Sequence, residues 1–393
     1  MSLFHCISGG LLGTTWFSRV LGAGLGMPKV ADIAEPEWAE ANASFPRVSI
    51  IVPAKNEEGT IAGVLRDLLA LDYPNYEVIA VDDRSTDETG KRMDEVASNE
   101  AAANQAAAGR LKVLHIQELP ECWLGKTHAM WTAGQQATGD WLLFTDADVF
   151  FRTDTLRRAM AYAESEHADH LVVFPTLVMK SPGERMMIAF FQTLFAFGHR
   201  PWKVADPKAK DHMGVGAFNL IRRGAYEKVG TYMALRMEVL DDMKLGKVVK
   251  NAGLAQRNVF GDGLLSIHWA KGALGVVNNF TKNFFAVMSF QWWRTVAMVV
   301  ALLALNLMPF VGVWFAAGWS RTGYELALLS MFAIYAGMSA RSKIAPYYFF
   351  LHPVSTLLFN YALLRSMFVT LRDGGVTWRG TKYPLDELRK GLV

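Results

Sequence analysis

The fold follows from the stretch Trp141-Leu142-Leu143-Phe144-Thr145-Asp146-Ala147-Asp148, in which a short apolar run passes directly into two carboxylates. Such a run is typical of a buried strand, so both carboxylates stand at a strand end. A second run, Glu77 to Val81, leads in the same way into Val81-Asp82-Asp83-Arg84-Ser85-Thr86-Asp87. Because α/β proteins bind ligands beyond the carboxyl ends of their strands, we expect both acidic clusters to line one edge of a sheet.

Strand and helix patterns alternate on both sides of these clusters. The β-branched run Val48 to Val52 ends at Pro53 and is followed by apolar residues at helical spacing, namely Ile61, Val64, Leu65, Leu68 and Leu69. Further strands are expected at Leu111 to His115, Trp141 to Thr145 and His170 to Val178. Further helices are expected at Lys126 to Ala137 and Asp154 to Glu166, and one with an alanine-rich end at Ala97 to Arg110. The alternation predicts an α/β fold with a mostly parallel sheet covered by helices on both faces.

Charge and cysteine usage exclude two classes of protein. The net charge is +3, and the chain has no basic run interleaved with aromatics, so we do not expect nucleic acid as a partner. Cys6 and Cys122 are the two cysteines of the chain and cannot form a disulfide framework. The water-facing part is therefore expected to lie in a reducing cytosol.

Apolar segments dominate the chain after Gln291. Val296 to Trp319 has no ionisable residue over 24 positions, enough to cross a bilayer core of about 30 Å. Tyr324 to Ala340 and Tyr347 to Leu371 are further apolar stretches, and short basic turns separate the three. Membrane hairpins fit this pattern better than the alternative, buried core helices. Before them, Ala273 to Arg294 mixes aromatic and basic residues, as helices on a membrane surface do.

Two further segments concern the membrane. Leu3 to Met27 is apolar but interrupted by His5, Arg19 and five glycines, which leaves open whether it spans the bilayer or lies in its interface. The basic tail, Arg372 to Val393, should be cytosolic by the positive-inside rule. Three full crossings would place that tail outside, so one of the three apolar stretches is expected to be re-entrant or interfacial.

The acidic clusters predict a metal and a nucleotide site. Crowded carboxylates repel one another unless a cation lies among them, and Asp146 and Asp148 offer the hard oxygen ligands that Mg²⁺ or Mn²⁺ prefers. The alternative is a solvated turn. For Val81 to Asp87 the alternative is a helix start capped by Ser85 or Thr86, which is compatible with ligand binding. A third cluster, Leu240-Asp241-Asp242-Met243, follows later in the chain.

Residues 46 to about 282 resemble the family 2 glycosyltransferases with a GT-A fold. The resemblance rests on Ser49 to Glu58, on Val81 to Asp87 and on Thr145 to Asp148. Within that family, three more motifs look like the branch of the ceramide glucosyltransferases and the hopanoid-associated enzymes: Gly214 to Arg223, Glu238 to Asp242, and Thr377-Trp378-Arg379-Gly380-Thr381-Lys382-Tyr383.

The resemblance implies roles for individual residues. The donor would be bound by Pro53, Ala54, Asn56, Glu57, Asp82, Asp83 and Lys126. The metal would be held by Asp146 and Asp148. Asp242 would be the general base, and Asp241, which stands where glutamate is usual, would tune and orient it. The acceptor would be bound by Gly214, Gly216, Lys282, Trp378 and Arg379.

One departure from the family concerns the acceptor side. Many membrane relatives carry Gln-x-x-Arg-Trp after the base aspartate, whereas here Gln291-Trp292-Trp293-Arg294 is followed by Thr295. The spacing from Asp242 puts the equivalent place near Asn278 to Lys282, where Lys282 would supply the positive charge. The departure weakens the case for a processive polymerase, because that motif helps to seat a growing chain.

The predicted organisation has five parts: residues 1–45, membrane-associated; 46–272, the GT-A domain; 273–294, interfacial helices; 295–371, transmembrane helices; and 372–393, the basic tail. The expected activity is inverting transfer from a nucleotide-sugar, most simply a UDP-sugar, to the hydroxyl of a membrane lipid at the bacterial plasma membrane. The alternatives are a polysaccharide-synthesising transferase and an inactive membrane scaffold. A scaffold would be expected to have lost some of Asp83, Asp146, Asp148 and Asp242, which are all present.

Overall fold

A computed structural model of the chain describes residues 3–40, 44–103 and 109–393. Its strands are β1 (Val48–Ala54), β2 (Tyr76–Asp83), β3 (Leu111–Ile116), β4 (Trp141–Phe144), β5 (Val149–Phe151), β6 (His170–Phe174), β7 (Thr176–Leu177), β8 (Asn219–Arg222), β9 (Gln256–Phe260), β10 (Leu265–Ile267), β11 (Gly375–Trp378) and β12 (Thr381–Pro384).

The α-helices are α1 (Leu3–Gly26), α2 (Pro36–Glu40), α3 (Ile61–Leu69), α4 (Thr89–Ala103), α5 (Gly125–Gln136), α6 (Thr155–Ser165), α7 (Pro182–Gly198), α8 (Arg223–Lys228), α9 (Asp241–Asn251), α10 (Gly272–Val287), α11 (Trp292–Asn306), α12 (Met308–Phe315), α13 (Trp319–Ser342), α14 (His352–Arg372) and α15 (Leu385–Lys390). Short 3₁₀ helices cover Met27–Lys29, Pro201–Lys203 and Pro346–Leu351. Part of the alanine-rich end expected at Ala97 to Arg110 lies outside the described residues.

The chain forms two compact units. The sheet unit comprises Val30–Val178, Lys203–His268 and Trp378–Val393, and the helical unit comprises Met1–Lys29, Met179–Trp202 and Trp269–Thr377. The sequence analysis assigns residues 46–272 to one domain. In the structure the segment that carries α7 instead joins the helical unit, and the end of the basic tail joins the sheet unit.

The sheet unit is built on seven strands in the order β3-β2-β1-β4-β8-β6-β9. Strand β8 is antiparallel to β4 and β6, and every other pair of neighbours is parallel. The predicted α/β fold with a mostly parallel sheet is confirmed. All seven residues of β1 are buried, as expected for a central parallel strand with both faces covered. Helix α3 buries Ile61, Val64, Leu65 and Leu68, four of the five apolar positions of the predicted helix.

A smaller sheet in the same unit has the order β5-β10-β7. One strand is expected from His170 to Val178, but the structure divides it into β6 and β7 on either side of Pro175. Pro175 has no backbone N–H to give to a ladder, which weakens strand pairing at this point. The single-strand prediction is wrong at this point.

In the helical unit α1 packs closely against α13. A Cβ atom on Gly13 would lie 2.5 Å from the carbonyl oxygen of Gly323, and one on Gly9 would lie 2.5 Å from that of Ser320. Small residues let two helix backbones approach in this way, which is common where helices associate in membranes. The face of α1 that carries Gly9 and Gly13 therefore has a specific partner.

The predicted crossing from Val296 to Trp319 is not one straight helix. Most of it is divided between α11 and α12, which are bent by 49° as in a broken span or a re-entrant loop, and Trp319 begins α13. Pro309 lies in the first turn of α12 and has no N–H to donate to the carbonyl of Leu305. The buried indole Nε1 of Trp16 donates to that carbonyl instead, at 2.9 Å.

One helix among the described residues, Pro346–Arg372, is long and apolar enough to cross a membrane. The number rises to two if the bent pair of α11 and α12 is one span. The predicted stretch Tyr347 to Leu371 falls within the first of these. The stretch Tyr324 to Ala340 lies in α13, which does not meet the same criterion.

Candidate active site

The strand order brings the predicted site residues to one edge of the large sheet. Parallel strands β1, β2 and β4 end there, and Ala54, which follows Pro53 on β1, is aligned with Asp82 on β2. Strand β8 runs antiparallel to β4, so the loop before β8 meets the same edge. The Asp146 amide donates to the Gly216 carbonyl in that loop at 3.0 Å.

The loops after β1 and β2 are joined by hydrogen bonds. The Asn56 amide donates to the Ser85 hydroxyl at 3.0 Å, and the Thr86 amide donates to the Asn56 side chain at 2.8 Å. The Glu57 amide donates to the Thr89 hydroxyl at 2.7 Å. Helix α4 begins at Thr89, so the expectation that Ser85 or Thr86 caps it is wrong. Ser85 instead holds the β1 loop in place.

The first aspartate pair is fixed by its neighbours. Oδ1 of Asp82 accepts from the Ser85 amide at 3.1 Å. The nearly buried Asp83 accepts two hydrogen bonds from the Arg84 guanidinium, at 2.8 and 3.2 Å. A Cβ atom on Gly125 would overlap the Asp83 carboxylate. Glycine is therefore required at position 125 by close approach.

A lysine links the second and third acidic clusters. Nζ of Lys126 lies 2.8 Å from Oδ1 of Asp146 and 3.5 Å from Oδ2 of Asp241. Burial disfavours the charge on Lys126, yet the carboxylates of Asp146, Asp241 and Asp242 raise its pKa above the ordinary value. The ammonium is therefore charged. It brings together residues predicted for donor binding, metal binding and catalysis.

The predicted base is held by backbone amides. Oδ2 of Asp242 accepts from the Gly216 amide at 2.8 Å, and Oδ1 accepts from the Met243 amide at 2.7 Å. Each carboxylate oxygen has a second lone pair, so both keep an acceptor position for a proton. A Cβ atom on Gly214 would overlap the backbone of Asp242, and one on Gly216 would overlap the Asp146 carboxylate. Both glycines thus contact the carboxylate cluster.

Burial shapes the charge of the aspartates at the start of α9. It raises the pKa of Asp241 and of Asp242, while the nearby Lys126 opposes the rise in both. A base that works near neutral pH needs a pKa above that of an ordinary carboxylate. The environment therefore raises the pKa values of Asp241 and Asp242 toward the range that a base needs near neutral pH.

The residues present fit a divalent metal. Burial, then the charges of Asp146 and Glu57, raises the pKa of Asp148 to about 6, and a bound cation would offset this repulsion. Among the described residues, no group of three His, Cys, Asp or Glu would hold an ion by itself. Mg²⁺ is commonly bound through one or two carboxylates together with substrate phosphates, and Asp146 and Asp148 match that pattern.

Two predicted acceptor residues lie in different places. Lys282 is on α10 of the helical unit. Arg379 is in the sheet unit, where its guanidinium pairs with Glu57 and donates to the Lys55 carbonyl. Arg379 thus contacts the loop predicted to bind the donor. Trp378 precedes it at the end of β11.

A buried glutamine, Gln256, joins two parts of the site and was not predicted from the sequence. Oε1 of Gln256 accepts from the Met213 amide at 3.0 Å, and Nε2 donates to the Gly246 carbonyl at 3.0 Å. These bonds connect the loop before Gly214 to α9, whose first residues are Asp241 and Asp242. A polar residue that opens a strand gives no local signal of such a role.

Part of the sheet unit resembles a family of known proteins. Residues 49–230 match the family described as Glycosyl transferase family 2. The chain is a glycosyltransferase. The matched residues run from β1 to α8 and include the first two acidic clusters and Lys126. Asp241 and Asp242 lie beyond them.

Similar proteins extend the comparison along the chain. A 4,4'-diaponeurosporenoate glycosyltransferase of Staphylococcus haemolyticus is 22% identical over 239 residues, which are 60% of this chain and 60% of the relative. One from Staphylococcus aureus (strain MRSA252) is 21% identical over 357 residues, 88% of this chain and 90% of the relative.

A solved structure shares the fold. It is the mannosyltransferase of Pyrobaculum calidifontis in complex with GDP-Man and Mn²⁺, with a TM-score of 0.54 and 18% identity, and the match covers 94% of this chain and 99% of that one. The GT-A fold expected from the sequence is confirmed by this likeness and by the family match.

Proposed function

We propose that the chain is an inverting glycosyltransferase that moves a sugar from a nucleotide-sugar, most simply a UDP-sugar, to the hydroxyl of a membrane lipid. One observation carries the proposal. Lys126 lies 2.8 Å from Asp146 and 3.5 Å from Asp241, so one cation joins the edge where a diphosphate would be bound to the helix that carries Asp242.

The donor half of the reaction needs positive charge. When the bond between the anomeric carbon and the diphosphate breaks, negative charge develops on the leaving group, and fixed positive charge stabilises it. Lys126 is the charged group at this place. A divalent ion held by Asp146 and Asp148 supplies further charge neutralisation when bound. Asp82, Asp83 and the loop with Asn56 and Glu57 would bind the nucleoside.

The acceptor half needs a base. As the acceptor oxygen attacks the anomeric carbon from the face opposite the diphosphate, its proton must be removed, and Asp242 is the candidate. Its two backbone hydrogen bonds fix the carboxylate, while burial raises its pKa. Asp241, which also lies close to Lys126, would tune the pKa of Asp242 and orient it. A single displacement inverts the anomeric centre.

The membrane part of the proposal rests on exposed apolar surface. Trp314, Phe315 and Trp319 are 82%, 74% and 89% exposed, and Phe350 and Phe368 are 72% and 62% exposed. Large exposed apolar areas on a protein surface mark sites of contact with a membrane or with another protein. A bilayer would cover these side chains. We therefore place the helical unit in the bacterial plasma membrane, with the sheet unit facing the cytosol.

The acceptor class has two supports. The motifs Gly214 to Arg223 and Thr377 to Tyr383 resemble the branch of the ceramide glucosyltransferases and hopanoid-associated enzymes. The staphylococcal relatives are named for the glycosylation of 4,4'-diaponeurosporenoate. Both favour a lipid over a growing polysaccharide, which is the second candidate. An inactive scaffold is disfavoured because the carboxylates and Lys126 form one connected cluster.

The test compares the lipids of a deletion strain of the source organism with those of its parent by mass spectrometry. Loss of one glycolipid, restored by the parental gene but not by a gene carrying Asp146→Ala and Asp148→Ala, is the expected result. The purified chain should then transfer sugar to the unglycosylated lipid. Unchanged lipids together with a lost polysaccharide would favour the second candidate, and absence of any nucleotide-sugar turnover would support the scaffold.

A further inference from the structure

The segment that follows the last long helix returns to the loops of the predicted donor site. Arg379 donates to the carbonyls of Lys55 and Asn56 and pairs with the Glu57 carboxylate. Nζ of Lys55 donates to the Thr381 hydroxyl at 3.3 Å. Arg379 is predicted to bind the acceptor, but these partners all belong to the loop after β1.

Tyr383 contacts the other side of the same site. Its buried hydroxyl accepts a hydrogen bond from the Gly125 amide at 3.1 Å and interacts with the Arg84 guanidinium. Arg84 in turn holds Asp83, and Gly125 is the residue before Lys126. A single hydroxyl thus connects the first aspartate pair to the start of α5.

Thr381 and Tyr383 lie on the same face of β12, because alternate residues of an extended strand point to the same side. Arg379 lies in the turn that precedes this strand. Arg379 and Gly380 have φ values of 47° and 80°, as a tight hairpin turn with two left-handed residues requires. A non-glycine residue in that conformation is uncommon, so the turn fixes the Arg379 side chain at a cost in backbone energy.

We propose that Arg379, Thr381 and Tyr383 form a wall of the donor site and act as positioning residues for nucleotide-sugar binding. Arg379 fixes the loop that carries Asn56 and Glu57, and Tyr383 fixes Asp83 and the start of α5. The inference rests on the proposed function, which it deepens by assigning this segment to the donor. The acceptor then depends on other residues.

The experiment measures nucleotide binding by calorimetry on the full chain in detergent, with UDP and GDP as probes in the presence of Mn²⁺. Tyr383→Phe removes one hydroxyl and should raise the Kd of the bound nucleotide roughly fivefold, as expected for one buried hydrogen bond. Arg379→Asn keeps a residue that tolerates positive φ but removes the charge, and should raise the Kd by about tenfold or more. Arg379→Lys should recover part of that loss.

Lys382→Gln is the matched control, because Lys382 is exposed and lies between the two tested positions. Its nucleotide Kd should equal the parental value. In steady-state assays the tested variants should raise the donor KM and leave kcat and the acceptor KM nearly unchanged. A general folding defect would lower kcat and the unfolding temperature together, so a thermal melt accompanies each variant.

Two outcomes would overturn the inference on its own. One is parental nucleotide affinity in both Tyr383→Phe and Arg379→Asn. The other is a raised acceptor KM with an unchanged donor KM, which would return the segment to the acceptor site. If the parental chain binds neither nucleotide with Mn²⁺, the proposed function fails as well, so the two failures are distinguishable.

Discussion

The backbone amide of Gly216 donates a hydrogen bond to Oδ2 of Asp242 at 2.8 Å. The carbonyl of the same glycine accepts from the Asp146 amide at 3.0 Å. One peptide segment therefore sets the distance between the predicted metal ligand and the predicted base. Neither of these contacts requires a side chain at position 216, but the space beside the Asp146 carboxylate excludes one.

Gly216→Ala should change the distance between the carboxylates of Asp146 and Asp242. The added methyl group would overlap the Asp146 carboxylate, and displacements of about 1 Å in an active site cost up to roughly 10²-fold in rate. We expect turnover to fall at least tenfold with little change in unfolding temperature. Gly224→Ala is the control, because its Cβ would meet nothing within 4 Å. Equal activity of the two variants would contradict the positioning role of Gly216.

Asp242→Asn should lower transfer by about 10²- to 10⁴-fold and keep nucleotide-sugar affinity, because the amide cannot take a proton. One of the two backbone hydrogen bonds of Asp242 is lost as well, since an amide has a single acceptor oxygen. Asp241→Asn should have a smaller effect. Calorimetry and turnover on both variants are the measurements. Near-parental transfer in Asp242→Asn with a dead Asp241→Asn would reverse the roles.

Removal of the metal site should abolish turnover and metal-dependent nucleotide binding together. The double variant Asp146→Ala and Asp148→Ala removes both proposed ligands and leaves the Lys126 charge close to Asp241. Titration of Mg²⁺ or Mn²⁺ into EDTA-treated parental chain should restore activity, and the same titration of the variant should not. Full parental activity in EDTA would rule out metal dependence.

Acidification should destabilise the sheet unit through His170. Burial lowers the pKa of His170 to about 4, and its two ring nitrogens face the side chains of Asn219 and Gln256 at 3.2 and 2.8 Å. Below pH 6.5 the unfolded chain binds a proton that the folded chain does not, so stability falls as the pH drops. The loss from this group is about 2 kcal/mol at pH 5.

Thermal unfolding at pH 7 and pH 5 measures that loss. His170→Gln removes the titrating ring and should show a smaller difference between the two pH values, whatever its stability at pH 7. The same difference in the variant and in the parent would show that other groups carry the pH dependence.

The acceptor preference follows from the proposed membrane anchoring. A lipid acceptor that stays in the bilayer avoids exposing its tail, which costs about 0.8 kcal/mol for each CH₂ group moved into water. The chain in lipid vesicles should therefore use lipid-linked acceptors more efficiently than soluble ones with the same head group. Equal kcat/KM on both would favour the polysaccharide candidate.

Local patterns predicted the parts of the site that depend on short segments. The run from Trp141 to Asp148 places its carboxylates just after β4, because its apolar residues are buried in the strand and its charged residues follow them. Strand β8, by contrast, has two apolar residues, Leu220 and Ile221, between polar ends, which is too short for a recognisable period. Its antiparallel direction brings Gly216 to the site.

Contacts between distant residues could not be predicted in the same way. The hydrogen bond between Gly125 and Tyr383 joins positions 258 residues apart, and nothing in either local sequence specifies the other. The resemblance of Thr377 to Tyr383 to a family motif indicates that the segment matters, but the structure is needed to show which loops it contacts. Likewise, the bend between α11 and α12 could not be predicted without Trp16, whose indole donates to the Leu305 carbonyl.

The hydrogen bond from Trp16 to Leu305 has a consequence for the order in which parts of the protein fold during synthesis. Trp16 and Leu305 are 289 residues apart, and Gly13 meets Gly323 across a similar length of chain. Because a ribosome adds residues from the amino end, α1 is complete before the sheet unit has been translated. The face of α1 that carries Gly9 and Gly13 has no partner until α13 has been translated. During that interval the sheet can fold and close its own core. A chain interrupted before Leu305 would leave the Trp16 indole without its acceptor. The contacts of α1 with Leu305 and with α13 can therefore form only after α11 and α12 have been translated.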